Sequence, residues 1–524
     1  MNLGNAVLGI ELGSTRIKAV LIDENHNPIA SGSYNWQNRL EDGVWVYSIE
    51  DACTGLRSCY GALRQDVEKR YGQTLREVSA IGISGMMHGY LVFDKEDRQL
   101  APFRTWRNTI TAAASGQLTE LFRFNIPQRW SIAHLYQAIL NGEAHVKEIA
   151  RLTTLSSHIH YLLTGRHVMG VCEASGMFPY DNSIQDFDQR NLQQFDELTE
   201  SYAFPWKLRQ LLPQVLPAGA QAGFLTKEGA ALLDESGQLK AGIPMCPPEG
   251  DAGTGMVSTG AVLPRTGSIS AGTSAFSMQV LERPLKGYYP EIDVVATPAG
   301  DTVAMAHTNT CTTEIDAWVG LIADTARTMG WPLDTDALYT TLFRQALEGA
   351  PDCDGIVAFN YFAGEPLTGT PTGRPMLVRL PESKLSVANL MRAQLNGAIA
   401  TLKIGMDMLA EKEQVESDVL LGQGGFFKTP GVGQQLLANA LNVPITTMET
   451  AGEGGPWGMA LLAAYMQRRE ADESLQGYLS EKVFRQADSS CLYPQPEGVA
   501  GFAAYLQRYK DALPCQNAAA QMQL

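Results

Sequence analysis

VLGIELGSTRIKAVLI (residues 7–22) reads as a short apolar strand, a Gly13-Ser14-Thr15 turn and a second apolar strand. Asp23 to Pro28 is dense in turn formers, and Ile29 to Gly32 opens a third strand, so the chain begins as a β-meander. Helical periodicity follows over residues 50–70, then a strand over Val78–Ile83 that ends at Ser84-Gly85. The same grammar restarts at TGSISAGTSAFSMQV (residues 266–280), where Gly272-Thr273-Ser274 separates two strands. Two such units about 260 residues apart, close to half of 524, predict a duplicated α/β domain.

At roughly 150 residues per domain the length allows three to four domains, and two large ones fit the repeat best. Hydrophobic residues make up 45% and charged residues 18%, an ordinary globular balance that excludes disorder. Forty Lys+Arg against 56 Asp+Glu leave a net charge of −16, which argues against nucleic-acid or anionic-membrane partners. The eight cysteines form no CxxC pair and read as reduced, mostly buried thiols. MNLGNAVLGIELGS lacks the charged and apolar regions of a secretory signal, and no run reaches 18 apolar residues, so a cytoplasmic protein without a membrane span is expected.

Further along, residues 110–170 are helix-rich and interrupted by Pro127, whereas residues 205–250 are rich in Pro and Gly and read as irregular connection. That stretch ends in EGDAGTGMVSTGAV (residues 249–262), and the domain boundary is placed near residue 257. The expected organisation is an N-terminal domain over 1–256, a C-terminal domain over 257–480 and a partly helical tail over 481–524. Long helices are predicted over 385–410 and 456–468, with a shorter one over Gly501–Leu513. LLGQGGFFKTPGVGQQLLANALNVPI (residues 420–445) reads strand, glycine loop, helix, strand.

Several chemistries are excluded. No Gly-Lys dipeptide occurs, so there is no P-loop, and Gly431-Val-Gly433-Gln-Gln-Leu436 fails the dinucleotide fingerprint. There is no HExxH, and His158 and His160 read as ordinary helix or surface residues rather than metal ligands. Ser84 has Gly82 before it but Met86 after it, which fails a nucleophile elbow. What remains is three glycine-centred turns after apolar strands: Gly13–Thr15, Gly272–Ser274 and Gly422–Gly425. Such turns aim backbone N–H groups and hydroxyls at one point and bind anions without net positive charge. Two carboxylates stand near them. Glu11 lies in a buried-looking strand, where an ionised carboxylate is costly unless paired or metal-bound. Asp251 sits in Gly250-Asp-Ala-Gly-Thr-Gly255, where a plain turn residue is the alternative.

These stretches, in this order, resemble the FGGY carbohydrate kinases of the actin and hexokinase superfamily. Ile10–Thr15 resembles their first phosphate motif, Ser84–Gly89 the Met-His-Gly sugar strand, and Trp106-Arg107-Asn108 the Trp-containing sugar loop. Leu163–Gly165 and Glu173–Gly176 are similar to further family stretches. Gly250-Asp251 resembles the catalytic Gly-Asp element and Ala271–Ser274 the second phosphate motif. Asn360–Glu365 with Arg374 resembles the Tyr-x-x-Gly-Glu segment. Gly424-Gly425, Ala438-Asn439, and Glu449 ahead of Gly455–Ala463 resemble the adenosine part.

The resemblance implies two ribonuclease-H-like α/β domains with a central cleft, and an ATP-dependent kinase. It assigns Asp251 as the base, and Met87, His88, Trp106 and Arg107, with Asp251, as sugar-binding residues. ATP would be held by Gly13, Ser14, Thr15, Arg16, Gly272, Thr273, Ser274, Gly424, Gly425, Lys428 and Asn439. Mg²⁺ would be held by Glu11 and Asp251, directly or through water. Four positions depart from the family: Glu11 replaces the usual Asp, Met86 the usual Gln before Met-His-Gly, Asn439 the usual Asp, and Asn108 the Asp of a Trp-x-Asp loop. The expectation is therefore a kinase acting on a terminal hydroxyl of a small sugar, with a ketopentose as the substrate. The alternatives are a polyol, glycerol-type or deoxyhexulose kinase, or a nucleotide-binding pseudokinase in which Glu11 marks lost metal chemistry. Sugar and ATP are the expected partners and a homodimer the expected assembly.

Overall fold

The computed structural model describes residues 3–448, 454–485 and 489–522. Glu449 therefore lies outside the described residues. The chain forms two compact units. One comprises Met1–Leu263, Tyr288–Val303 and Glu453–Ala487, the other Pro264–Gly287, Ala304–Gly452 and Asp488–Leu524. The two units are interleaved in sequence, because the helix Gly454–Arg468 packs on the first unit's sheet although two segments of the second unit, Pro264–Gly287 and Ala304–Gly452, precede it.

The first unit's sheet begins with the meander Val7–Leu12, Arg16–Ile22 and Pro28–Asn35, all antiparallel. Ala80–Gly85 then pairs parallel with Val7–Leu12, and Pro244–Met245 and Glu249–Gly250 both pair parallel with Ala80–Gly85. Gly223–Phe224 closes the edge. The Pro/Gly-rich stretch thus carries short strands of this sheet, where the sequence reading expected irregular connection. Two-residue strands leave too little alternation for a period to show.

Alternation along Val7–Leu12 sorts its side chains. Leu8, Ile10 and Leu12 bury in one core with Leu56, Cys59 and Leu63 of the helix Ile49–Tyr71. That helix starts at Ser48, whose hydroxyl accepts from the Asp51 N–H, and stops at Gly72 in the left-handed region (φ 63°). Gly9 and Glu11 point to the opposite face, against the helix Gly454–Arg468. A Cβ on Gly9 would lie 2.1 Å from the Pro456 carbonyl oxygen and 2.5 Å from Ala460 N. The helix therefore rests directly on the strand backbone.

Register brings three strand ends level. Glu11 lies beside Ser84 and Ser84 beside Glu249, so the chain leaves Leu12, Gly85 and Gly250 at one edge. Carboxyl ends of parallel strands are where α/β sheets place ligands, since each chain turns there with free N–H groups. The second unit repeats the plan. Thr266–Ala271 pairs antiparallel with Ala275–Val280 and parallel with Val419–Gln423, which pairs parallel with Ile445–Met448. Behind this sheet lie Val387–Glu413 and Val432–Leu441. The tail helix spans Pro496–Ala520, longer than expected, because its Ala-rich end continues to favour helix. Among the described residues no helix is long and apolar enough to cross a membrane.

Candidate functional site

The turn after Leu12 is built to present donors. Its carbonyls are taken up by the protein: Trp36 Nε1–H donates to Gly13 O at 2.7 Å, Tyr47 OH donates to Ser14 O, and the Trp36 N–H donates to Thr15 O at 3.2 Å. Among the described residues, no acceptor meets the N–H of Ser14 or Thr15. Arg16, at the start of the next strand, donates through Nε to Asn35 Oδ1 at 3.1 Å. Trp106, 39% exposed, donates through Nε1 to Ser14 Oγ at 3.2 Å, which ties the loop after Thr105 to this turn. Arg107 stacks over the Trp45 ring at 4.1 Å and donates to Asn38 Oδ1.

Beyond Gly85 the backbone twists through His88 (φ 70°) and Gly89 (φ 86°). A left-handed His costs strain that the surroundings must hold. They do: Gly89 N–H donates to Arg129 O at 3.1 Å, and the His88 ring stacks on buried Trp130 with centroids 6.3 Å apart. His88 Nδ1 is 2.7 Å from the Gly176 carbonyl oxygen. A carbonyl only accepts, so Nδ1 carries the hydrogen and Nε2 is left as an acceptor. Burial, reinforced by the Arg129 charge, pushes this imidazole down to about 3, so it is neutral at pH 7.

Asp251 opens the helix Asp251–Thr259 and its Oδ1 accepts from the Ala252 N–H at 3.0 Å. Burial pushes its carboxyl up to about 6, with the Met87 and Ala252 N–H groups pulling the other way. Glu11 rises to about 7, through burial first and then the Asp251 charge, with Lys18 as the opposing cation. Two facing carboxylates short of positive charge suit a divalent cation that keeps water and phosphate oxygens as its remaining ligands. Among the described residues, no three His, Cys, Asp or Glu could hold an ion by themselves. Beside Asp251 lie two carboxyls to which the sequence assigned no role, Glu249 and Glu173 of the Glu173–Gly176 stretch. Glu249 accepts from the Glu173 N–H at 3.0 Å and is raised to about 7 by burial. Glu173 is fully buried and raised well above the usual range. The burial of the two carboxyls has no sequence signal, because it follows from packing between segments distant in the chain.

Met87 is buried, and its side chain fills the space above Gly250 and Gly176. What it offers Asp251 is its backbone N–H. In the first unit, then, Glu11, Gly13–Arg16, Met87, His88, Trp106 and Asp251 all lie at or next to one sheet edge.

The second unit holds a matching edge. Gly272 O accepts from the N–H and hydroxyl of Thr312, and Thr273 O accepts from the Cys311 N–H at 2.8 Å. Gly424 lies against this turn with φ 103°, and a Cβ there would be 2.4 Å from Ala271 O. Gly425 opens on free space, and Lys428 is exposed. Asn439 is engaged elsewhere: its Oδ1 accepts from the Gln495 N–H at 2.8 Å and from Gln435 Nε2 at 3.0 Å, anchoring the tail helix. Glu365 accepts from Thr310 and Asn309, and Arg374 donates to the carbonyls of Ala519 and Met522. These residues of the Tyr-x-x-Gly-Glu stretch brace the second unit.

Comparison with known proteins matches residues 6–257 to the N-terminal domain of the FGGY family of carbohydrate kinases and residues 267–467 to its C-terminal domain. A xylulose kinase of Haemophilus influenzae is 22% identical over 96% of this chain and 98% of its own length. An L-fuculokinase of Escherichia coli is 22% identical over 88% of this chain and 92% of its own. The crystal structure of a xylulose kinase from Rhodospirillum rubrum superposes with a TM-score of 0.79 at 17% identity, covering 99% of this chain and all of that one.

Proposed function

The chain belongs to the FGGY family of carbohydrate kinases, and from that we propose that it transfers the γ-phosphoryl group of ATP to a terminal hydroxyl of a ketopentose. The observation that carries this reading is the pairing at one edge of a half-buried base, Asp251, with a neutral acceptor, His88. A sugar hydroxyl donates to His88 Nε2, and this orients the chain of carbons toward Asp251. Asp251 accepts the proton of the terminal hydroxyl as its oxygen attacks phosphorus. A carboxyl near 6 is ionised at pH 7 yet basic enough to take that proton.

Phosphoryl transfer is chiefly positioning and charge stabilisation. The N–H groups and hydroxyls of Gly13–Thr15 and Gly272–Ser274 would donate to phosphate oxygens. Gly424, Gly425 and Lys428 would accept the nucleoside end. Glu11 and Asp251 would hold Mg²⁺, which when bound supplies charge neutralisation on the polyphosphate. Trp106 supplies an apolar wall for sugar carbons. The enzyme is placed in the cytoplasm, where ATP and small sugars meet.

The test is sugar-stimulated ADP release across ketopentoses, ketohexoses, deoxyketoses, glycerol and sugar acids. The reading expects a ketopentose to give the highest kcat/KM. A higher value with a deoxyhexulose or glycerol would reassign the substrate, and no stimulation by any sugar would end the kinase reading.

A further inference from the structure

Each oxygen of the Glu11 carboxylate lies against a glycine. A Cβ added at Gly13 would stand 3.2 Å from Oε1. A Cβ added at Gly455 would stand 1.4 Å from Oε2, 2.6 Å from Cδ and 3.1 Å from Thr254 Oγ1. The first contact is tolerable, whereas the second is a complete overlap. The φ of Gly455 lies outside the left-handed region, so backbone conformation does not demand glycine there. Gly455 is the second residue of the helix Gly454–Arg468, an interior-compatible place for alanine, which is the better helix former. What requires glycine at 455 is the volume occupied by a carboxylate from another strand.

The cause of that contact is the pleat. Gly9 and Glu11 alternate onto the same face, and Gly9 lets the helix settle on the strand at Pro456 and Ala460. With the helix that close, the side chain two residues on must end in its first turn. There the helix's free N–H ends favour negative charge.

We propose that Gly455 is a positioning residue for Glu11: positions 11 and 455 form a size-matched pair, in which the absent side chain at 455 is the seat of the carboxylate. Shortening Glu11 to Asp withdraws the carboxylate by one carbon–carbon bond, about 1.5 Å. Added to the 1.4 Å separation, that leaves roughly 3 Å, enough for an alanine methyl to fit with slight adjustment. Glu with Gly and Asp with Ala are thus the two compatible combinations, and Glu with Ala is the incompatible one. The rate consequences of this pairing rest on the kinase reading. The packing consequences do not.

The experiment is a cycle of Gly455→Ala, Glu11→Asp and the double variant, read by melting temperature without nucleotide and by kcat and KM. Gly455→Ala is expected to lower the melting temperature and to cut kcat about 100-fold, the cost of a misplacement of an ångström or so, with the sugar KM little changed. The double variant is expected to melt within about 2 °C of Glu11→Asp and to regain at least about tenfold of the lost kcat. Wild-type melting and rate in Gly455→Ala would overturn the proposal, and so would losses in the double variant that simply add. If the unmodified enzyme turns over no sugar, the kinase reading fails while the melting cycle still decides the pairing.

Discussion

At the scale of the residue, Asp251 and His88 carry opposite shifts from one cause. Burial disfavours charge, so the acid is raised to about 6 and the imidazole lowered to about 3. At pH 7 Asp251 is then ionised and His88 neutral, the forms that the proposed base and acceptor require. Asp251→Asn keeps the size and removes the basicity. It is expected to lower kcat by about 10²–10⁴-fold while the ATP KM changes little, measured by coupled ADP release. In the unmodified enzyme kcat/KM should rise as pH climbs through about 6, where Asp251 loses its proton. A rate independent of pH between 5 and 7 would remove Asp251 from the role of base. His88→Phe keeps the stack on Trp130 and deletes the acceptor. Its expected effect is a sugar KM raised more than tenfold, with ATP binding intact by calorimetry.

At the scale of the element, the turns Gly13–Thr15 and Gly272–Ser274 owe their donor-rich faces to what occupies their backs. Trp36 and Tyr47 fix the first, and Cys311 and Thr312 fix the second. The glycine loop adds a close approach. Gly424→Ala requires a strained φ of 103° and drives a methyl to 2.4 Å from Ala271 O. Strain of this kind costs about 1–3 kcal/mol. The expected outcome is an ATP KM raised about fivefold or more, with the sugar site unchanged by sugar titration. Gly425→Ala, which meets open space, is the control and should bind ATP nearly as before. The turns themselves were legible in the sequence, because Gly with two hydroxyl residues after an apolar run is a local signal. Trp36 and Tyr47 were not, since their roles depend on strands folding back over Gly13 and Ser14.

At the scale of the whole molecule, titration decides how the protein tolerates acid. Six histidines, His26, His88, His134, His158, His160 and His167, are lowered to about 3 or 4, with burial the largest cause in each. A depressed histidine favours the folded state above its unfolded value of about 6.5 and loses that contribution as pH falls toward the folded one. Glu11, Glu249 and Asp251 act oppositely: raised to about 6–7, they favour folding below about 4 and lose that contribution as pH rises through 6–7. Glu173, raised well above the usual range, acts with these three, and the six histidines still outnumber the four carboxyls below pH 6.5. The melting temperature should therefore peak near neutrality and fall steadily toward pH 5, measured by calorimetry. His134 has neither ring nitrogen partnered among the described residues and stacks on Tyr90, so His134→Phe should soften that fall. A flat profile from pH 7 to 5 would contradict the balance.

The sequence by itself determined the duplicated strand–turn–strand plan, the three glycine turns and the candidates Glu11 and Asp251, because each is written in a few neighbouring residues. Hydrophobic alternation and turn chemistry act locally, so they can be read without a fold. Only the tertiary structure decided that Gly454–Arg468 returns to the first unit, that Asn439 and Arg374 brace the tail helix, and that Gly455 yields its volume to Glu11. Those outcomes depend on contacts between residues distant in the sequence, and no local preference of the chain encodes which distant atom will fill a given space.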